Sequence, residues 1–280
     1  MVSIMKITVF IVLACLITGT SYSQQYYNDL VMTSEIIKKR ALFQQTRVKA
    51  VQMTSLDNHN QPIEGFSSIQ EVSSNFATLT TTTVTSLSGK NETTHSFNDK
   101  GQLTRSVDTS DGNKTVIEYA YDAANQVNSI VSRTFSPGGY VTKEQHLWFY
   151  KADKPDRMLK VKNDLDTTYV NFVVDDKGNV AEEKSTHRGQ AQPTVFYYYD
   201  DKGRLTDVVR YNARAKRLLP DYVFEYDAAG RVSTMLATNQ GGADYQRWYY
   251  KYDEKGLKKE DLCFGKNKTL IGKVEYEYKF

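Results

Sequence analysis

Cysteine is nearly absent from this chain of 280 residues: there are two, Cys15 and Cys263. Cys15 falls in a leader-like N-terminal segment, so Cys263 is left as a lone thiol. No intramolecular disulfide framework can then hold the mature protein, and its stability has to come from packing. Proline is scarce as well, with five residues. Pro137, Pro193 and Pro220 are expected between hairpins, as suits a residue that cannot donate to a β-ladder. Neither sign of charge dominates: 36 basic against 33 acidic residues give a formal net charge of +3. That balance makes no case for nucleic acid or an anionic membrane surface as a partner. The densest basic run, Arg210 to Arg217, reads as a solvated loop between hairpins. Four histidines, His59, His95, His146 and His187, are scattered without a second ligand at metal-site spacing. Gly-x-Ser-x-Gly, a phosphate-binding glycine loop and His-Glu-x-x-His are all missing. The chain therefore reads as a non-enzyme with no metal and no cofactor.

Long apolar runs are missing too, apart from one short one at the start. Lys6 precedes the apolar run Ile7 to Ile17, and small and polar residues follow up to Ser21-Tyr22-Ser23. This is the layout of a secretory signal peptide over residues 1–23, cleaved before Gln24. The run is too short for a transmembrane helix. Val12-Leu13-Ala14-Cys15 is a loose lipoprotein box, and a membrane tether would exist only if Cys15 were lipidated; processing after Ser23 fits better.

What is abundant is tyrosine, 20 residues, and much of it recurs in one phrase. Tyr199-Asp-Asp-Lys-Gly203-Arg-Leu205 and Tyr226-Asp-Ala-Ala-Gly230-Arg-Val232 are the clearest copies. Weaker ones start at Phe97, Tyr121, Val174 and Tyr252. Gly178, Gly203, Gly230 and Gly256 are spaced by 25, 27 and 26 residues, a repeat period. Before each acidic position, aromatic or aliphatic residues stand two apart, as in Tyr197/Tyr199, Phe224/Tyr226 and Tyr250/Tyr252. That spacing puts them on one face of a strand. In Asp-x-x-Gly the aspartate accepts a backbone N–H two residues on, and the glycine supplies a left-handed residue. Gly101, Asn125, Gly178, Gly203, Gly230 and Gly256 are the expected turn positions; Asn125 stands where its neighbours have glycine and tolerates the same conformation. The copy at Tyr150, with two extra residues and Pro155, is expected to turn more widely. Asp108-Thr-Ser-Asp111-Gly112-Asn113 comes nearest to a calcium loop, but lacks a distal bidentate glutamate.

Residues 24–90 do not show the repeat. Leu30, Met32, Ile36, Ile37, Ala41 and Phe43 recur at helical spacing, predicting an amphipathic helix from Asp29 to about Gln45. Strands are expected from Val48 to Leu56 and from Phe76 to Leu87. The helix with these strands makes a capping segment, followed by a hairpin array over 91–280. The fold expected is mostly β: an antiparallel hairpin-repeat sheet, a twisted and coiled meander with a short N-terminal helical cap. Its outer strands would be blunted by Glu225, Lys251 and Glu277.

The phrase Tyr-Asp-x-x-Gly-Arg-Leu, closest at Tyr199 to Val209 and Tyr226 to Leu236, resembles the YD repeat of the Rhs family of bacterial surface and secreted proteins. The resemblance covers about residues 91–280. It implies hairpins in a long antiparallel sheet winding into a shell, and a protein exported to the periplasm, the outer-membrane surface or the medium. Toxin cargo is not implied, because the chain ends inside a strand pattern at Phe280 and lacks the self-cleavage motif. The first functional reading is thus a non-catalytic envelope scaffold built from YD-type repeats, binding envelope proteins or glycans. An alternative is a carbohydrate-binding protein, with Trp148 and Phe149 or Trp248 and Tyr249 as stacking platforms; core packing of those rings competes with it. A second alternative is a polysaccharide hydrolase with an unrecognised carboxylate pair.

Overall fold

The structure is a computed structural model describing residues 25–110, 112–238 and 244–280. The leader at 1–23, Cys15 with its lipidation motif, and Asp111 of the acidic loop lie outside these residues. A helix, α1 (Asn28–Thr46), is followed by β1 (Ala50–Asp57), β2 (Ser67–Val72), β3 (Thr78–Thr85), β4 (Gly89–Phe97) and β5 (Leu103–Ser110). Next come β6 (Asn113–Tyr121), β7 (Val127–Phe135), β8 (Val141–Lys151), β9 (Lys154–Lys162) and β10 (Asp166–Val174). Then β11 (Val180–His187), β12 (Gln190–Ala191), β13 (Val195–Tyr199), β14 (Leu205–Asn212) and β15 (Arg217–Tyr226) follow. The last four are β16 (Val232–Thr238), β17 (Tyr245–Tyr252), β18 (Lys258–Gly265) and β19 (Leu270–Lys279).

The turns explain why the phrase recurs. In each, the first acidic or amide side chain bonds two backbone N–H groups. Asp200 Oδ1 accepts from Lys202 and Arg204, both at 2.9 Å, and Asp253 Oδ1 from Lys255 and Leu257 at 2.9 and 2.8 Å. Gly203, Gly230 and Gly256 have φ of 73°, 81° and 84°, Gly101 and Gly178 have 77° and 82°, and Asn125 has 63°. The arginine after the glycine closes back on the turn: Arg204 Nε donates to Asp200 and Arg231 Nε to Asp227, each at 2.7 Å. Their guanidinium groups then lie 4.4 and 4.5 Å from the ring centroids of Tyr226 and Tyr252, the tyrosines of the next copy. Those tyrosines reach back in turn. Tyr226 Oη donates to the Leu205 carbonyl at 2.6 Å and Tyr252 Oη to that of Val232 at 2.8 Å. Tyr121, Tyr150, Tyr199 and Tyr278 make the same bond to Leu103, Val127, Val180 and Lys258. Wherever the phrase begins with tyrosine, the hairpin is thereby stitched to the preceding strand by a side chain as well as by the ladder; the copies at Phe97 and Val174 have no hydroxyl to do this.

Two local expectations are corrected. The turn after Tyr150 is tighter, not wider: β8 and β9 are joined by Ala152 and Asp153 alone, both with positive φ, and Pro155 is absorbed by a bulge. Pro220 lies inside β15 rather than between hairpins, at a register shift opposite Val208 and Val209 that removes the need for its missing N–H. In the N-terminal segment β2, which lacks aromatic residues, joins the two strands expected there.

The larger correction concerns the whole sheet, expected as an open, coiling meander. Each strand pairs antiparallel with its sequence neighbour, and β1 then pairs with β19 from Ala50↔Lys279 to Asp57↔Gly272. β12 and β13 both pair with β11 and form one interrupted stave around Pro193. The result is a closed antiparallel barrel of 18 staves, with β1 to β4 part of the same ring as the rest. Closure satisfies the hydrogen bonds of both end strands, which an open array leaves exposed. Glu225, Lys251 and Glu277 therefore guard no edge; they stand on the outer face, where Lys251 pairs with Glu260 at 2.6 Å. The Rhs-type reading falls with the open sheet, because here the strands complete one circuit and meet.

The helix lies inside the ring at the acidic-turn end. Tyr26, Tyr27 and Leu30 pack on an apolar cluster of β7 to β14 that includes Val170, Phe172 and Tyr197. Phe43, Ile36 and Ile37 pack on a second cluster with Val51, Leu79, Leu103, Leu257 and Val274. Its 19 residues make a rod of about 28 Å, comparable with the bore of an 18-stave ring, roughly 30–36 Å between backbones.

The outer face carries charge and hydroxyls. Thr78, Thr80 and Thr82 point outward on β3, Glu182 and Lys184 on β11, and Lys273, Glu275, Glu277 and Lys279 on β19. Apolar outer residues gather on β8 to β10, as Phe149, Leu159 and Tyr169. A lysine or arginine on a lipid-facing stave costs about 2–4 kcal/mol at mid-membrane, and such residues are spread around this ring. Charged side chains thus stand on the outer face of staves in separate parts of the ring.

Candidate functional site

Adjacent residues on a strand face opposite ways, and this separates the aromatic candidates. Trp148 points inward, is 3% exposed and stacks on Phe172 at 5.2 Å and 10°. Phe149 points outward beneath the Arg157 guanidinium, 5.0 Å from the ring centroid. Trp248 points inward and is half-buried, while Tyr249 is outside, edge-on to Phe264 at 5.6 Å. Trp148 with Phe149, and Trp248 with Tyr249, thus never share a surface, and β8 and β17 are not neighbours in the ring.

What the barrel does assemble is a lumenal wall over β15 to β17. Phe224, Met235, Trp248 and Cys263 are cross-strand neighbours in one row, and Tyr222 and Ala237 stand in the next. Tyr222 and Phe224 stack at 6.1 Å and 16°. Tyr222 is 36% exposed although it points into the lumen, whereas Phe224 packs against the first apolar cluster and Trp248 against the second. Tyr222 and Phe224 escaped the search for single platforms, yet the period-two series Tyr222, Phe224, Tyr226 carries the signal.

Beside this wall the row Tyr250, Asp261, Val274 and Ser55 continues onto β18, β19 and β1. Asp261 is 3% exposed; its Oδ2 accepts from Lys258 Nζ at 2.8 Å and Tyr276 Oη at 2.7 Å, while Oδ1 has no partner. Lys258 Nζ also lies 4.1 Å from the Tyr250 ring centroid. From the helix, Lys39 adds a second ammonium, 5.5 Å from the Phe43 ring centroid. Burial within the ring, then repulsion from Lys258, draws its pKa down to about 8 although Asp261 pulls the other way. Its surface stays accessible, so the enclosing wall, not close packing, is the cause. His95, held by Ser106 at 2.8 Å, is pushed down to about 4 by burial and by Lys39 and stays neutral.

The N-terminal end of α1 is pinned by a different set. Glu183, from β11, accepts the N–H groups of Tyr26 and Tyr27 at 3.1 and 2.8 Å and the Tyr197 hydroxyl at 2.9 Å. It caps a helix whose own N-cap residue offers no side chain. His146 sits between Asp29 of the helix and Glu144, with Lys160 on Glu144 at 2.9 Å. Burial alone would lower the imidazole, but the Asp29 and Glu144 carboxylates overcome this and hold it at about 9. Glu144, which burial would raise, is brought to about 2 by His146 and Lys160. These groups satisfy one another and fix the helix.

Among the described residues no three His, Cys, Asp or Glu side chains gather as metal ligands do. The Cys263 thiol is pushed up to about 11 by burial, which keeps it protonated.

No protein-family model and no curated protein matches the chain by sequence. Three solved structures are similar to it at low scores. A porin-like protein from Bacteroides uniformis is 9% identical with a TM-score of 0.39, over 83% of this chain and 98% of that one. A porin-like protein from Bacteroides vulgatus is 9% identical at 0.36, over 83% and 99%. The Tc holotoxin pore of Photorhabdus luminescens is 13% identical at 0.34, over 77% of this chain and 12% of that one. Likeness at this level transfers neither ligand nor activity, and the closed-ring architecture rests on the strand pairing itself. A scaffold assembled from YD-type repeats is accordingly corrected to a single closed barrel.

Proposed function

We propose that this chain is an exported, non-catalytic binding protein of the bacterial envelope or its surroundings, and that it takes carbohydrate into the lumen against β15 to β17. The observation that carries the reading is Tyr222, exposed on the lumenal face, stacked on Phe224 and followed along the wall by Trp248, both half-buried at the margins of the two apolar clusters. Aromatic faces pack against the C–H faces of sugar rings, and a concave wall with a few polar groups at its margin is the usual form of a small-ligand site. Export is supported by the leader layout at 1–23, and a water-exposed life by the charged outer face.

The chain contains two tryptophans, which makes the test direct. Trp148→Phe leaves Trp248 as the sole indole. Titration of that protein with a broad panel of oligosaccharides should shift its emission for at least one of them, and Trp248→Ala should abolish binding measured by calorimetry. An unresponsive Trp248 across the panel, or undiminished binding by Trp248→Ala, overturns the reading. The protein should also be monodisperse without detergent.

A further inference from the structure

Resting on that lumenal reading, we propose that the site prefers acidic carbohydrate: Lys39 receives a sugar carboxylate, and the Asp261–Lys258 pair engages neighbouring hydroxyls. Three observations converge. First, two ammonium groups, Lys39 and Lys258, face one carboxylate, Asp261, on the stretch of wall next to Trp248. His95 contributes no charge there, being neutral. Second, Lys258 is committed to Asp261 at 2.8 Å, whereas no carboxylate among the described residues pairs with Lys39. Lys39 keeps its access to water inside the ring, so its ammonium is open to an incoming anion. Third, Asp261 Oδ1 and Ser55 Oγ are buried polar atoms without hydrogen-bond partners, on either side of Val274 in one row. Buried polar atoms are normally satisfied. A sugar hydroxyl supplies the donor that Asp261 Oδ1 lacks, and Trp248 supplies a surface for the ring.

The geometry also assigns a role to the helix. Arg40, next to Lys39, donates from Nε to the Phe76 carbonyl at 2.9 Å and lies over Phe97. That holds this turn of α1 against β3 to β5 and fixes where Lys39 starts. The helix is then a structural element that contributes a side chain to the site as well as closing one mouth.

The experiment uses the mature protein carrying Trp148→Phe and a set of uronic acid trisaccharides, each compared with its methyl ester, which keeps size and ring faces and removes the charge. At least one acid is expected to bind roughly tenfold tighter than its ester, the worth of one charge-assisted hydrogen bond. Lys39→Gln should erase that difference and Lys39→Arg should keep it, with circular dichroism confirming the fold of both. Equal affinity of acid and ester, or a preference that survives Lys39→Gln, overturns this proposal while leaving lumenal carbohydrate binding in place. Failure of every acid and every ester to bind overturns both.

Discussion

Raising the pH from 6 to 10 should loosen the barrel through one residue, His146. Its imidazole is enclosed between Asp29 on α1 and Glu144 on β8, and its pKa stands at about 9 against 6.5 for a free histidine. A group bound more tightly to its proton when folded stabilises fully below the unfolded pKa and ceases to do so above the folded one. The contribution is therefore complete below pH 6.5 and lost as the pH climbs through 9. The gap corresponds to about 3 kcal/mol, of the order of a quarter or more of a typical domain's stability. Lys39 acts in the opposite sense. Its pKa is lowered to about 8, so its destabilising charge is relieved as the pH rises from there. The measurement is a series of urea midpoints from pH 6 to 10 for the natural protein and for His146→Asn. The natural protein should lose stability relative to the variant across pH 7 to 9.5, and the variant alone should hold level or gain slightly. Parallel curves across that range would refute the claim that a protonated His146 fastens the helix to the wall.

Glu183→Ala strips the carboxylate from the N–H groups of Tyr26 and Tyr27 and from the Tyr197 hydroxyl, and should cost about 3 kcal/mol in urea unfolding; Glu183→Gln should cost less. Asn125→Ala places a β-carbon where φ is 63° and removes the acceptor of Lys100 and Gln102. A loss of about 1 kcal/mol is expected, with Asn125→Gly near neutral by the same assay. Tyr226→Phe leaves the ring under Arg204 and deletes only the bond to the Leu205 carbonyl. It should lower stability by about 1 kcal/mol, and an unchanged melting temperature would show that the stitch carries no weight.

The local chemistry of this fold is legible in its sequence, and the global closure is not. Asp-x-x-Gly prescribes a turn through its own atoms, so the reversals at 101, 125, 178, 203, 230 and 256 need no distant partner. The helix is legible as an element and runs Asn28–Thr46, but its apolar face is weaker than expected: of the residues that suggested it Phe43 is buried, while Ala41 is exposed. By contrast, the pairing of Ala50 with Lys279 joins strands more than 220 residues apart. No residue of either strand marks that partner over any other, and a repeat phrase says how neighbours join without saying how many make a ring. The arginine and tyrosine of the phrase were readable as residues but not as a relay, because their bonds cross from one copy to the next. At the site, strand alternation separates Trp248 from Tyr249, but which face becomes lumen depends on closure. Both faces of β17 mix aromatic and polar residues, so its residue pattern alone does not choose.

Because the sheet returns to its first strand, hairpins cannot be added or dropped freely, as they can in an open array. Deleting a 26-residue unit such as 205–230 would leave 16 staves and narrow the bore by about 4 Å, to a width that α1 fills with little room to spare. Duplicating one would widen it and pull the wall away from both ends of the helix. The number of hairpins and the length of the helix have to change together, which makes α1 a gauge of this barrel's circumference.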